Sequence, residues 1–109
     1  MIRGTCQQFK FTLPYTKSQV KTVQITFWQK DHAGSEDCAL PITKVLTDCV
    51  WTANSKECIV TLNQVETLAF TDQQKGWVQF RGVTTDDFAF GSRKQIFSVY
   101  PVKDETILQ

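Results

Sequence analysis

The side chains able to do chemistry in this chain are few and scattered. The single histidine, His32, lies beside Asp31 and close to Gly34 and Ser35. Acid–base or nucleophilic catalysis needs partners held within hydrogen-bond reach. A polar loop with turn residues supplies none, so His32 reads as a solvated loop histidine. The acidic pairs Glu36-Asp37, Asp86-Asp87 and Asp104-Glu105 are chain neighbours. Neighbours in an extended strand face opposite sides, so none makes a convergent carboxylate dyad. Asp86 and Asp87 in a loop could approach Ca²⁺, but the oxygen-ligand spacing of a dedicated calcium loop is missing. The glycines are dispersed and build no phosphate-cradling loop. The expectation is a protein that is not an enzyme, with no catalytic residue, no cofactor and no metal.

The four cysteines, Cys6, Cys38, Cys49 and Cys58, are 32, 11 and 9 positions apart. No two have the short spacing typical of zinc ligands, and one histidine cannot complete such a set. No apolar signal segment follows Met1, which predicts synthesis in the cytoplasm, where thiols stay reduced. Reduced, mostly buried thiols are therefore the main expectation. A disulfide from Cys49 to Cys58, across a hairpin, is the alternative.

Composition narrows the class further. The chain of 109 residues has the length of one domain, and 41% hydrophobic with 21% charged residues suits a folded core. Eight Phe, three Trp and two Tyr supply bulk for that core. Twelve basic against eleven acidic residues leave a net charge of +1, with no electrostatic footprint for nucleic acid. No apolar run is long enough for a membrane helix. Nucleic acid and membrane are accordingly not expected partners.

The elements that must position any site are mostly strands. Phe9, Phe11 and Leu13 alternate with polar residues, and Pro14 ends the run. A second strand spans residues 21–29, with Val23, Ile25 and Phe27 on one face and Gln24, Thr26 and Trp28 on the other. A weaker strand is predicted over residues 37–42, another over 44–51, and a returning one over 56–62 as a hairpin. Asn63-Gln64-Val65-Glu66 matches a capping box, with Val65, Leu68 and Ala69 at helical spacing, so a short helix follows. Strands resume at 77–83 and, after a loop from 84 to 92, at 95–101 with Phe97 and Val99 inward. Seven strands, one short helix and no repeat favour an all-β two-sheet sandwich over a barrel, and the short helix between sheets is similar to that of immunoglobulin-like sandwiches; the domain spans residues 1–101, with residues 102–109 as a C-terminal tail.

Binding surfaces are more plausible than a reaction centre. Phe88 and Phe90 flank Ala89 in a predicted loop, where two exposed rings would mark a partner site. Phe90 alternatively folds back over the open end of the sandwich. Trp28 opposes the core face of its strand, and Trp77, Gln79 and Arg81 make a similar mixed face. In the tail, an acidic stretch precedes Ile107 and Leu108, which would anchor on a neighbouring subunit.

Several blocks also carry a family likeness: Met1-Ile2-Arg3-Gly4-Thr5, Phe11-Thr12-Leu13-Pro14, Ile25-Thr26-Phe27, residues 62–70 with Thr67-Leu68-Ala69-Phe70, and nearly all of 78–108. In order and spacing they resemble small immunoglobulin-like virion-region proteins of phages and prophages of Gram-positive bacteria. That resemblance implies a structural or accessory virion component, in tail, neck or baseplate rather than on the capsid exterior. Such a component would be made in the host cytoplasm and then incorporated into the virion. Its partners would be other virion proteins and copies of itself, met through sheet edges, the Phe88–Phe90 loop and the tail. Two departures stand out. Asp87 occupies a position where the family pattern has Gly, and residues 31–55 fit poorly while holding three of the four cysteines and Trp51. The alternative function is a binding module of the same fold, recognising a host cell-surface glycan or protein through Trp28, Trp77 or the Phe88–Phe90 loop.

Overall fold

The computed structural model describes residues 1–29, 42–51, 56–70, 75–104, 107 and 108. In chain order they form β1 (Gln7–Thr12), β2 (Val20–Gln29), β3 (Ile42–Val45), β4 (Cys49–Trp51), β5 (Glu57–Leu62), α1 (Gln64–Leu68), β6 (Gly76–Thr84), β7 (Ala89–Gly91) and β8 (Gln95–Phe97). One sheet has the order β1-β5-β4; the other runs β3-β2-β6, with β7 and β8 sharing the far side of β6. Every strand pairing is antiparallel. The chain is thus mostly β, with two sheets and a short helix among the described residues.

Alternation explains the core. Val23, Ile25 and Phe27 of β2 stand opposite Gly82, Phe80 and Val78 of β6, and these apolar side chains are buried. Phe11, Cys58, Val60 and Leu62 line the facing side of the other sheet. Rings from the two sheets interlock, with Phe9 against Phe27 at 4.9 Å and Phe11 against Phe80 at 5.5 Å between centroids. Full burial of each such side chain is worth about 1.5–3 kcal/mol. The layers therefore hold by apolar contact between sheets, while hydrogen bonds run within each sheet.

Two glycines of β6 make room for aromatic cover. A Cβ on Gly76 would stand 2.2 Å from Phe97 Cζ, and one on Gly82 would stand 2.7 Å from Phe90 Cζ. Phe97 and Phe90 are their cross-strand partners. Between them the edge slips by one residue, since Arg81 pairs with Gly91 but Val78 pairs with Gln95. Ser92 repairs the slip. Its N–H donates to Phe80 O at 2.8 Å, and its Oγ accepts from Phe80 N at 2.9 Å.

Several sequence expectations change here. The strand predicted over 44–51 is two strands in different sheets, joined by a 3₁₀ turn at Leu46–Asp48. Asp48 causes the break by accepting from Val45 N at 2.9 Å, which turns the chain across the sandwich. The loop from 84 to 92 contains β7. The last strand stops at Phe97, though Val99 is buried as expected. Eight strands are present among the described residues, against the seven expected. His32, its neighbours and most of the weak strand at 37–42 lie outside the described residues.

The helix starts as its capping box requires. Asn63 Oδ1 accepts from Glu66 N, and Glu66 Oε1 accepts from Asn63 N, both at 2.9 Å. Its buried residue is Thr67, while Val65 and Ala69 are exposed. Of the residues at apolar helical spacing, Val65 and Ala69 thus point outward and Leu68 is half-buried, while the Thr67 hydroxyl faces in.

Candidate functional site

Two surfaces collect most of the exposed large apolar side chains of the described residues. The first is a corner where both ends of the described chain meet α1. Tyr100 N donates to Met1 O at 2.8 Å, and Arg3 N donates to Tyr100 O at 3.1 Å, so Ile2 and Tyr100 form a parallel bridge. Thr67 Oγ1 accepts from Gly4 N at 3.0 Å and donates to Thr5 O at 2.8 Å. One buried hydroxyl thus satisfies two main-chain groups of a distant segment. The Arg3 guanidinium donates to Leu68 O at 3.0 Å, placing a cation at the carbonyl end of the helix.

Gln64 performs the same service for the tail. Its Nε2 donates to Leu108 O and its Oε1 accepts from Leu108 N, both at 2.8 Å. A primary amide presents a donor and an acceptor side by side, so it reads one residue of extended backbone like a neighbouring strand. Lys44 of β3 points inward and pairs with Glu66 Oε2 at 2.7 Å, linking the helix to the five-stranded sheet. With the polar groups so engaged, Ile2, Val65, Tyr100, Ile107 and Leu108 turn outward, Leu108 being 73% exposed.

The second surface is the outward face of the five-stranded sheet, built by register alone. Ile96, Trp77 and Trp28 form one cross-strand row. Gln79, Thr26 and Thr43 form the next, and Arg81, Gln24 and Val45 the one after. The two indoles lie nearly parallel, 17° apart with centroids at 6.5 Å. Trp28 is only 8% exposed, so Trp77 and Ile96 offer the accessible part of the apolar row. No acidic residue occupies an outward position in these three rows.

The seven predicted contact residues divide accordingly. Trp28, Trp77 and Arg81 share the outward face. Ile107 and Leu108 lie at the corner, where the Leu108 main chain docks on its own helix. Phe88 and Phe90 part company. Phe88 is 60% exposed beyond the β6–β7 turn, whereas Phe90 packs on Gly82 and lies 5.0 Å from Tyr15 and 5.9 Å from Phe80 between centroids. Of the two readings of this pair, the exposed one holds for Phe88 and the folded-back one for Phe90, because the missing Cβ of Gly82 leaves a seat for it.

The turn between β6 and β7 takes a left-handed residue at Asp87. Asp87 has φ of 64°, its N–H donates to Thr84 O at 3.0 Å, and its carboxylate meets the Lys21 ammonium. Lys21 is the extra residue of a bulge in the β2–β6 pairing. Sequence reasoning missed Thr67, Gln64, Ile2, Ile96 and Tyr100. Ile96 could have been found from its strand alternation with Phe97, but nothing local marks Thr67 or Gln64 as clamps for distant segments.

A scan against protein-family models finds no match, and a search of curated proteins finds no relative of this chain. Among the described residues, no helix is long and apolar enough to cross a membrane, and no three His, Cys, Asp or Glu side chains come together as a metal site.

Proposed function

We propose that this chain is a non-enzymatic structural or accessory component of a bacteriophage virion, an immunoglobulin-like module that works through protein–protein contacts in tail, neck or baseplate. The observation that carries the contact reading is the corner. Of the nine large hydrophobic residues exposed among the described residues, five lie on the chain ends and α1. Exposed apolar side chains gathered on adjoining segments are the usual mark of a protein partner. The virion assignment rests on the sequence resemblance, whose blocks at 1–5, 62–70 and 78–108 supply the segments that meet there.

Light scattering behind size exclusion, across a wide concentration range, tests the reading together with mass spectrometry of purified particles. A closed ring, a concentration-driven polymer or incorporation into particles supports it. A strict monomer that never enters particles rejects it.

The outward face favours a second reading, a module that recognises a host cell-surface glycan. An indole platform beside rows of amide and hydroxyl groups suits the apolar faces and hydroxyls of sugars. Titration of isolated host cell-wall polysaccharide, with Trp77→Ala as the comparison, decides this. Binding that the variant loses supports a glycan, and no binding removes it.

A further inference from the structure

β4 is a three-residue edge strand whose register sets Cys49 opposite Val60 and Trp51 opposite Cys58. Directly opposed residues of an antiparallel pair share a face, as do residues two apart on one strand. Cys49 and Cys58 are therefore diagonal neighbours on the core side, both buried and both free thiols. Strand twist shortens one diagonal of such a pair. Here the Cys49 thiol reaches Val45 O at 3.4 Å, and the interaction between the two thiols pushes their acidities apart, Cys49 down and Cys58 up.

We propose that Cys49 and Cys58 are a redox couple, reduced in this structure, that closes to a disulfide stapling β4 to β5 when the chain meets a small-molecule disulfide such as glutathione disulfide. The Cys49 thiol loses its proton to solvent and attacks one sulfur of the oxidant, expelling one glutathione thiolate. Cys58 then loses its proton and attacks Cys49 Sγ, expelling the second. Two electrons and two protons leave the protein, and two glutathione thiols form. The order follows from the asymmetry of the pair. The hydrogen bond from Cys58 holds the Cys49 thiol below the usual thiol range, while the same bond and burial push Cys58 up.

A disulfide needs Cβ atoms about 3.5–4.5 Å apart, so β4 must close on β5. A short strand paired on one side among the described residues moves at low cost, and its opening also admits the oxidant. The consequence is an edge that stiffens when the protein passes from a reducing to an oxidising medium.

The test uses the reduced full chain, incubated with glutathione disulfide, quenched with acid and mapped by peptide mass spectrometry. The expected product is a Cys49–Cys58 linked peptide lacking two hydrogen atoms, with a rise in thermal midpoint of about 5–10 °C. Dithiothreitol should reverse both. The link should persist in a Cys6→Ser, Cys38→Ser double variant and vanish in Cys58→Ala, leaving Cys49 to carry glutathione. Exposed Cys6 is the internal control. The proposal is overturned if Cys49 and Cys58 stay unmodified while Cys6 is fully glutathionylated, or if Cys38 captures either one. Should Cys58→Ala fail to fold, the map of the double variant still decides.

Discussion

The corner and the outward sheet face both expose apolar side chains, yet they are built in opposite ways. At the corner, side chains hold main chain: Thr67 clamps residues 4 and 5, Gln64 clamps Leu108, and Arg3 reaches Leu68. Polar groups are used up in joining segments more than forty positions apart, as the Gln64–Leu108 pair shows. On the face, the ladder between β2 and β6 satisfies the main chain by itself. Side chains such as Gln24, Thr26 and Arg81 are then left to meet something else. Structure that depends on side-chain clamps turns its apolar groups outward, whereas structure that depends on register can present a mixed surface.

The contrast breaks most severely at Gly76, which anchors the end of the face. Gly76→Ala forces Phe97 off its seat and away from Phe9 and Phe70, whose rings lie 5.1 and 5.8 Å from it. The expected cost is about 3 kcal/mol, the upper range for overpacking, read as a lower urea midpoint with unchanged slope.

Next comes the clamp. Thr67→Val keeps the volume but strands Gly4 N and Thr5 O, at an expected cost of about 2 kcal/mol. Thr67→Ser should recover most of it. No loss in Thr67→Val beside a clear loss in Thr67→Ser would show that the methyl group matters and the hydroxyl does not.

Asp87→Gly goes the other way. Relief of a positive φ at a non-glycine residue should raise stability by about 0.5–1 kcal/mol, offset in part by loss of the exposed Lys21 pair. A fall in midpoint would mean that the ion pair outweighs the backbone term.

The smallest effect belongs to Gln64→Ala. Stability should change by less than about 0.5 kcal/mol, because the Leu108 contact is solvent-exposed. Hydrogen exchange at the Leu108 amide should nonetheless accelerate at least tenfold. No change would leave the tail docked by contacts other than the amide.

The long strands, the inward set of β2 and the capped helix start could be read from the sequence, because each depends on neighbours within a few residues. The break at Asp48 could not: a run rich in Val, Leu and Cys looks continuous until a carboxylate folds back on Val45. That one ring of the Phe88–Phe90 pair could fold back was legible, with Phe90 as the candidate, but the seat that holds it is Gly82 across the ladder. Trp28, Trp77 and Arg81 were recognisable as outward residues by alternation, but their common row structure needed the β2–β6 register. Thr67 escaped because a threonine in a helix has no sequence mark of what it holds.

Ser92 sets a limit on growth. A strand arriving at the β7–β8 edge would meet two reading frames out of phase by one residue, so it could follow three residues of one or three of the other. Sheet extension across that edge is therefore self-terminating. β1, six residues in continuous register with β5 and with no strand on its other side among the described residues, carries no such stop.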